Sequence, residues 1–306
     1  MVRNVSTIEP VCLWEAGATL GEGALWHAPS DSVYFVDIKG RCVHRCAPDG
    51  SRRRVWIAPR QVGFIVPAED GGFVCGLQGG LYRFDERTGN FSPLHEVEPD
   101  KPDNRINDGF VDAQGRLWFG TMDDGETQPT GSLYRVGPDG VPVAADRDYI
   151  ITNGPATSPD GRTLYHTDTL GKKTFAFDVQ PDGSLGNKRL FASFEDKPGY
   201  PDGMAVDAEG FVWIAFFGGW RIDRFSPRGE LVSTVRFPCS NITKLAFGGP
   251  DLRTVYVTTA RKGLSVDELQ RQPLAGGLFS FRSDVAGLPG NAFRLASENP
   301  NTGDRA

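Results

Sequence analysis

The chain has 306 residues, 39% of them hydrophobic and 24% charged, a balance that suits a large folded core and excludes a low-complexity or disordered chain. A formal net charge of −6 argues against a nucleic-acid partner, which needs a basic face; the one dense basic cluster, Arg52-Arg53-Arg54, reads as a solvated turn after Pro48-Asp49-Gly50. No apolar run reaches membrane-spanning length, residues 1–19 show no cleavable leader, and five irregularly spaced cysteines suit a reducing compartment. A cytoplasmic protein without membrane partners, a monomer or weak oligomer, is therefore expected.

The first predicted element is a strand over residues 10–14. A repeat follows. Strands centred on Tyr34, Val74, Trp118, Tyr165, Trp213 and Tyr256 are spaced 40, 44, 47, 48 and 43 residues apart. Each is followed by another strand, the first at Val43-His44-Arg45 and the last at Leu278-Phe279-Ser280-Phe281. Turns such as Pro138-Asp139-Gly140 separate the units. A period in the forties fits four short strands and their turns, and six units predict an all-β, six-bladed β-propeller with four-stranded blades, one domain over 1–306. Residues 10–14 are expected to close the last blade, pairing near Phe293 to Leu295. A short helix is expected over 265–270, and the polar tail 297–306 reads as loose.

Propellers bind ligands at the axis, where the innermost strands converge. Eleven or twelve residues before each repeat centre stand Glu22, Gly63, Asn107, Asn153, Asp202 and Lys244, with Thr243 beside the last. Strand interiors normally avoid Asn and Asp. Read singly, Asp108-Gly109, Asn153-Gly154 and Pro201-Asp202-Gly203 are turn sequences. Read together in register, they place carboxylate and amide oxygens around one axis, an oxygen-rich site for one divalent metal ion. Trp26 and Phe64 are read as core residues, with lining of the ligand pocket as the alternative. The four histidines fall outside the counted positions, and His166 is read as structural.

These segments carry a family resemblance. Leu20-Gly21-Glu22-Gly23, Arg105-Ile106-Asn107-Asp108-Gly109, Gly120-Thr121-Met122, Ile151-Thr152-Asn153-Gly154 and Tyr200-Pro201-Asp202-Gly203-Met204 resemble the SMP-30/gluconolactonase family, which includes regucalcin. The strings from Gly120 to Glu126, Tyr165 to Thr169 and Ala260 to Ser265 are similar to bacterial pentonolactonases of the xylonolactonase type. The resemblance implies that Glu22, Asn153 and Asp202 hold the metal and that Arg105 and Asn107 bind substrate oxygens. It also implies sugar binding by the loop holding Asp123, Asp124 and Glu126, where animal members carry glutamates. The implied partner is a small sugar-acid lactone, D-xylonolactone foremost, opened to its aldonic acid.

A metal in such a site polarises a lactone carbonyl and acidifies water. Asp202 is the candidate general base, with water on the ion as the alternative. Ca²⁺, Mg²⁺ and Mn²⁺ suit oxygen ligands, and Fe²⁺ and Zn²⁺ also fit. No Gly-x-Ser-x-Gly elbow supports a serine hydrolase. The alternatives are a regulatory metal-binding propeller without catalysis, a protein-binding scaffold and a phosphotriesterase on the same fold.

Overall fold

Six antiparallel four-stranded sheets follow one another along the chain of the computed structural model, which describes residues 8–295. The tail expected to be loose lies outside the described residues. The inner strands are Gly21–His27, Val62–Pro67, Asn104–Val111, Thr152–Thr157, Tyr200–Val206 and Ile242–Gly248, in blades 1 to 6. Each adjoins the next, and that of blade 6 adjoins that of blade 1, so the ring is closed. The repeat centres lie on the second strand of each blade and pack the blades together. Tyr34 meets Phe73 of blade 2 at 4.7 Å between ring centroids, and Tyr256 stacks on Trp26 of blade 1 at 5.9 Å. Trp26 and Phe64 are thus core residues, as read. Among the described residues no helix is long and apolar enough to cross a membrane.

Closure differs in one detail from the expectation. Val11–Trp14 is the outermost strand of blade 6, but it pairs with Leu278–Arg282, aligning Val11 with Ser280 and Trp14 with Leu278. The chain leaves that sheet at Ser283, and Gly287, Pro289 and Gly290 do not sustain a strand. Residues 284–295 instead form a strap beneath the ring. Its bridges Asp207↔Gly287 and Ala68↔Phe293 bury Phe293 against blades 2 and 3. Inside the ring, Thr243 Oγ1 of blade 6 donates to the Gly21 carbonyl of blade 1 at 2.5 Å. The short helix is present over Val266–Arg271, with a capping box between Ser265 and Glu268.

Every inner strand carries a register shift, at Glu22/Leu25, Val62/Phe64, Ile106/Gly109, Asn153/Ala156, Pro201/Met204 and Ile242/Leu245. A bulge re-aims side chains. Outside blade 2, whose strand Val62–Pro67 has no polar side chain, the bulges divide each strand into a first half that supplies the polar positions and a more apolar second half. Asp108-Gly109, Asn153-Gly154 and Pro201-Asp202-Gly203 accordingly lie in strands, where the reading in register placed them, and not in turns.

Two blades share a buried device at the hairpin before the repeat centre. Asp112 and Asp207 each accept a hydrogen bond from the indole N–H of Trp118 and Trp213, both at 2.8 Å. Each also takes backbone N–H groups of its own turn, and Asp207 accepts from Arg224 Nε at 2.8 Å. Removing a fully buried acid strands all these donors. Asp207→Ala is expected to cost about 3 kcal/mol, and Asp207→Asn less, in urea denaturation. A loss under about 1 kcal/mol for the alanine variant would contradict the account.

Candidate metal and substrate site

The polar halves of the inner strands surround a chamber of about 250 Å³ at one end of the channel. Glu22, Arg105, Asn107, Asn153 and Asp202 line it, with Glu126 at its mouth. Of the counted positions, Gly63 has no side chain to offer, and Lys244 lines the apolar cavity on the far side of the bulges. Gly154, directly after Asn153, has a φ of 74°, a left-handed turn of the backbone that a side chain would strain.

Hydrogen bonding fixes the two asparagines. Arg105 Nη1 can only donate, and it meets Asn107 Oδ1 at 2.6 Å. The Thr152 carbonyl can only accept, and it takes Asn107 Nδ2 at 2.6 Å. Both N–H groups of Asn107 are therefore committed, since Nδ2 also donates to Asn153 Oδ1 at 3.1 Å, while Asn107 Oδ1 keeps a second lone pair. Asn153 Nδ2 turns away to Thr169 Oγ1 at 2.9 Å. This leaves Asn153 Oδ1 directed into the site with acceptor capacity to spare.

Two carboxylate oxygens, Glu22 Oε2 and Asp202 Oδ1, are buried and have no hydrogen-bond partner among the described residues. Burial pushes both pKa values well above the usual carboxylate range. For Glu22, the neighbouring charges of Asp202 and Asp108 push further the same way, and for Asp202 that of Asp108 does so. The nearby cations are engaged elsewhere. Arg105 Nε donates to Asp124 Oδ1 at 2.8 Å, and Lys244 Nζ donates to Asp108 Oδ2 at 2.5 Å. A cation from outside would meet two carboxylates and one amide oxygen. Among the described residues no three His, Cys, Asp or Glu side chains converge as a ligand set, so the amide is needed to complete this one. The orphaned oxygens and the all-oxygen donor set fit a hard divalent ion.

The loop after blade 3's second strand divides its acids among separate tasks. Asp123 is consumed within the loop, accepting from the backbone N–H groups of Thr127 at 2.9 Å and Gln128 at 3.0 Å, which hold its pKa below the usual range. Asp124 stands behind Arg105 and also accepts from Lys39 Nζ at 2.6 Å and Gln61 Nε2 at 2.9 Å. Burial opposes its ionisation, but these hydrogen bonds and the Arg105 charge outweigh that, and its pKa falls below the usual range. Glu126 alone of the three faces the chamber, paired with Lys262. The positional count did not select Lys262, Asp108 or the apolar wall of Ile151, Leu170, Tyr200 and Phe217. All but Asp108 lie on strand ends and loops outside the counted offset, and Asp108 is the residue after it. His166 is buried edge-on against Tyr149 at 4.9 Å, and burial lowers its pKa to about 3, so it is a neutral core residue.

Known proteins resemble the chain in sequence and in fold. Residues 20–261 match the family model described as SMP-30/Gluconolactonase/LRE-like region. The chain is 38% identical over 279 residues to an L-arabinolactonase of Azospirillum brasilense, covering 88% of this chain and 90% of the relative. It is 34% identical over 278 residues to a 6-deoxy-6-sulfogluconolactonase of Pseudomonas putida, covering 90% and 95% respectively. In structure it is similar to a calcium-binding protein, regucalcin, from Agrobacterium tumefaciens. The TM-score is 0.91 at 29% identity, covering 95% of this chain and all (100%) of that one.

The buried acids set a pH dependence. A carboxyl whose folded pKa exceeds its unfolded value, near 3.8 for Asp202 and 4.5 for Glu22, binds a proton more tightly on folding. Its contribution is therefore present below the unfolded pKa and is lost as pH rises through the folded one. In chelator, Asp202→Asn is expected to melt above the wild type at neutral pH, with the gap closing toward about pH 4. Equal melting temperatures for the two proteins across that range would refute the assignment.

Proposed function

The chain belongs to the SMP-30/gluconolactonase/LRE-like family, whose members include sugar lactonases, and from that premise we propose that it hydrolyses a sugar-acid lactone with a divalent cation held by Glu22, Asn153 and Asp202. The observation that carries the reading is the pair of buried, unpartnered carboxylate oxygens beside a preset amide oxygen, with each neighbouring cation already paired. A divalent cation there supplies Lewis acidity to the carbonyl and acidifies water.

Arg105 and Asn107 are the proposed binders of substrate oxygen, Arg105 as a donor and Asn107 by accepting from a substrate hydroxyl at the remaining lone pair of Oδ1. Asp124 and Asn107 engage Nε and Nη1 of Arg105, so Nη2 is the nitrogen offered to the charge developing on the carbonyl oxygen. Asp202 accepts the proton of the attacking water as the new carbon–oxygen bond forms. The ring carbon–oxygen bond then breaks, and Asp202 returns the proton to the departing ring oxygen, which becomes a hydroxyl. Glu126 faces the sugar hydroxyls, Asp124 holds Arg105 in place, and Asp123 shapes the loop. We propose a pentonolactone, D-xylonolactone foremost, as the substrate class; the likeness to an L-arabinolactonase supports five carbons.

The test is proton release by metal-stripped protein on D-xylono-, L-arabinono- and D-gluconolactones, with Ca²⁺, Mg²⁺, Mn²⁺, Fe²⁺ or Zn²⁺ restored singly. One of these ions should restore hydrolysis, with the pentonolactones cleaved fastest. Asp202→Ala should lower kcat by about 10²–10⁴-fold, and Arg105→Ala by about 10²–10³-fold. Metal binding without turnover of any lactone would favour a regulatory propeller, and cleavage of a phosphotriester alone would move the assignment to that class.

A further inference from the structure

Asp108 directly follows the ring position of blade 3, and Lys244 occupies that of blade 6. In a ring of six, those blades face each other across the axis. The two side chains meet at 2.5 Å with only 8% of Lys244 and 2% of Asp108 exposed. The crossing has a built passage. A Cβ on Gly203, the neighbour of Asp202, would lie 2.4 Å from Lys244 Cδ and 2.7 Å from the Thr243 carbonyl oxygen. Asp108 is anchored on its other oxygen by the Gly109 N–H at 2.8 Å. Lys244 lines the apolar cavity on the strap side, while Glu22 and Asp202 line the chamber on the mouth side. The ion pair is the partition between them.

A buried ion pair rarely stabilises a fold more than apolar residues of the same volume would. Its position beside two unpartnered acids gives it a different role. The pair adds no net charge, and Glu22 and Asp202 remain the two uncompensated acids of the cup. The pair is electrically in contact with both, since Asp108 raises and Lys244 lowers the pKa of each.

We propose that Lys244 is a positioning residue of the cation site: by crossing the channel to hold Asp108, it keeps a third carboxylate from joining the cup and so matches the site to a divalent rather than a trivalent ion. The inference rests on the proposed cation site of Glu22, Asn153 and Asp202.

Calorimetric titration of the full chain with Ca²⁺ and with Tb³⁺ tests it without reference to turnover. Wild type should bind both. Lys244→Met frees the charge of Asp108, and the ratio of Tb³⁺ to Ca²⁺ affinity should rise about tenfold. Asp108→Asn leaves the ammonium unpaired, and the ratio should fall by about the same factor. Lys244→Met combined with Asp108→Asn should return the ratio to the wild-type value. If Lys244→Met does not fold, the Asp108→Asn shift and the double variant carry the test. Unchanged ratios in the variants of a wild type that binds Ca²⁺ overturn the role of Lys244. A wild type that binds neither ion overturns the underlying cation site instead.

Discussion

Two carboxylate oxygens buried without partners among the described residues are the costliest feature of this molecule, and much of the channel is organised around them. An isolated buried charge either finds a counter-charge or takes up a proton. Several cations stand close enough to serve, yet Arg105 is committed to Asp124 and Lys244 to Asp108. Each neighbouring charge is balanced by an acid outside the cup, and the deficit at Glu22 and Asp202 is left for something from outside to fill. Such an arrangement persists because a closed ring of blades overdetermines the positions of its inner strands. An acid in a flexible loop would swing out to water.

The asparagines show how that rigidity becomes chemical direction. An amide can present either its oxygen or its nitrogen, and only the surroundings decide. Arg105 decides for Asn107, Asn107 decides for Asn153, and Thr169 takes the remaining N–H. The chain of donors crosses from blade 3 to blade 4, so the acceptor facing the chamber depends on an arginine in the neighbouring sheet. The bulges serve the same end. They turn the inner strands of blades 1, 3, 4 and 5 from polar to apolar, and the site forms where the polar halves converge.

The inner ring was legible in the sequence because Glu22, Asn107, Asn153 and Asp202 stand where strand propensity opposes them, eleven or twelve residues before a buried aromatic of the next strand. Outer strands such as Asn90–Glu96 and Leu185–Ser193 left no comparable mark. Neither contains a buried residue, so no alternation of apolar and polar positions records them. The partner of the first strand was misread for a related reason. Phe293 looks like the centre of a strand, but it is apolar because the strap buries it beneath the ring. Divisions of labour within a loop were also hidden. Asp123, Asp124 and Glu126 are equivalent acids on the page, and only the fold assigns one to its own turn, one to Arg105 and one to the chamber.

Blades 3 and 6 are joined twice across the axis, and the two joints differ in a way that orients the channel. Asp108 and Lys244 meet below the cup, and Glu126 and Lys262 meet above it, each pair separated by 136 residues. The upper partners are 32% and 31% exposed, so water competes for both and parting them costs little. The lower partners are nearly buried, and separating them would strand two charges. The upper contact is therefore the one that a polar ligand could displace, and the lower one is held. The two joints thus set apart a polar chamber above and an apolar cavity below, whose wall includes Leu288, Pro289, Gly290 and Asn291 of the strap.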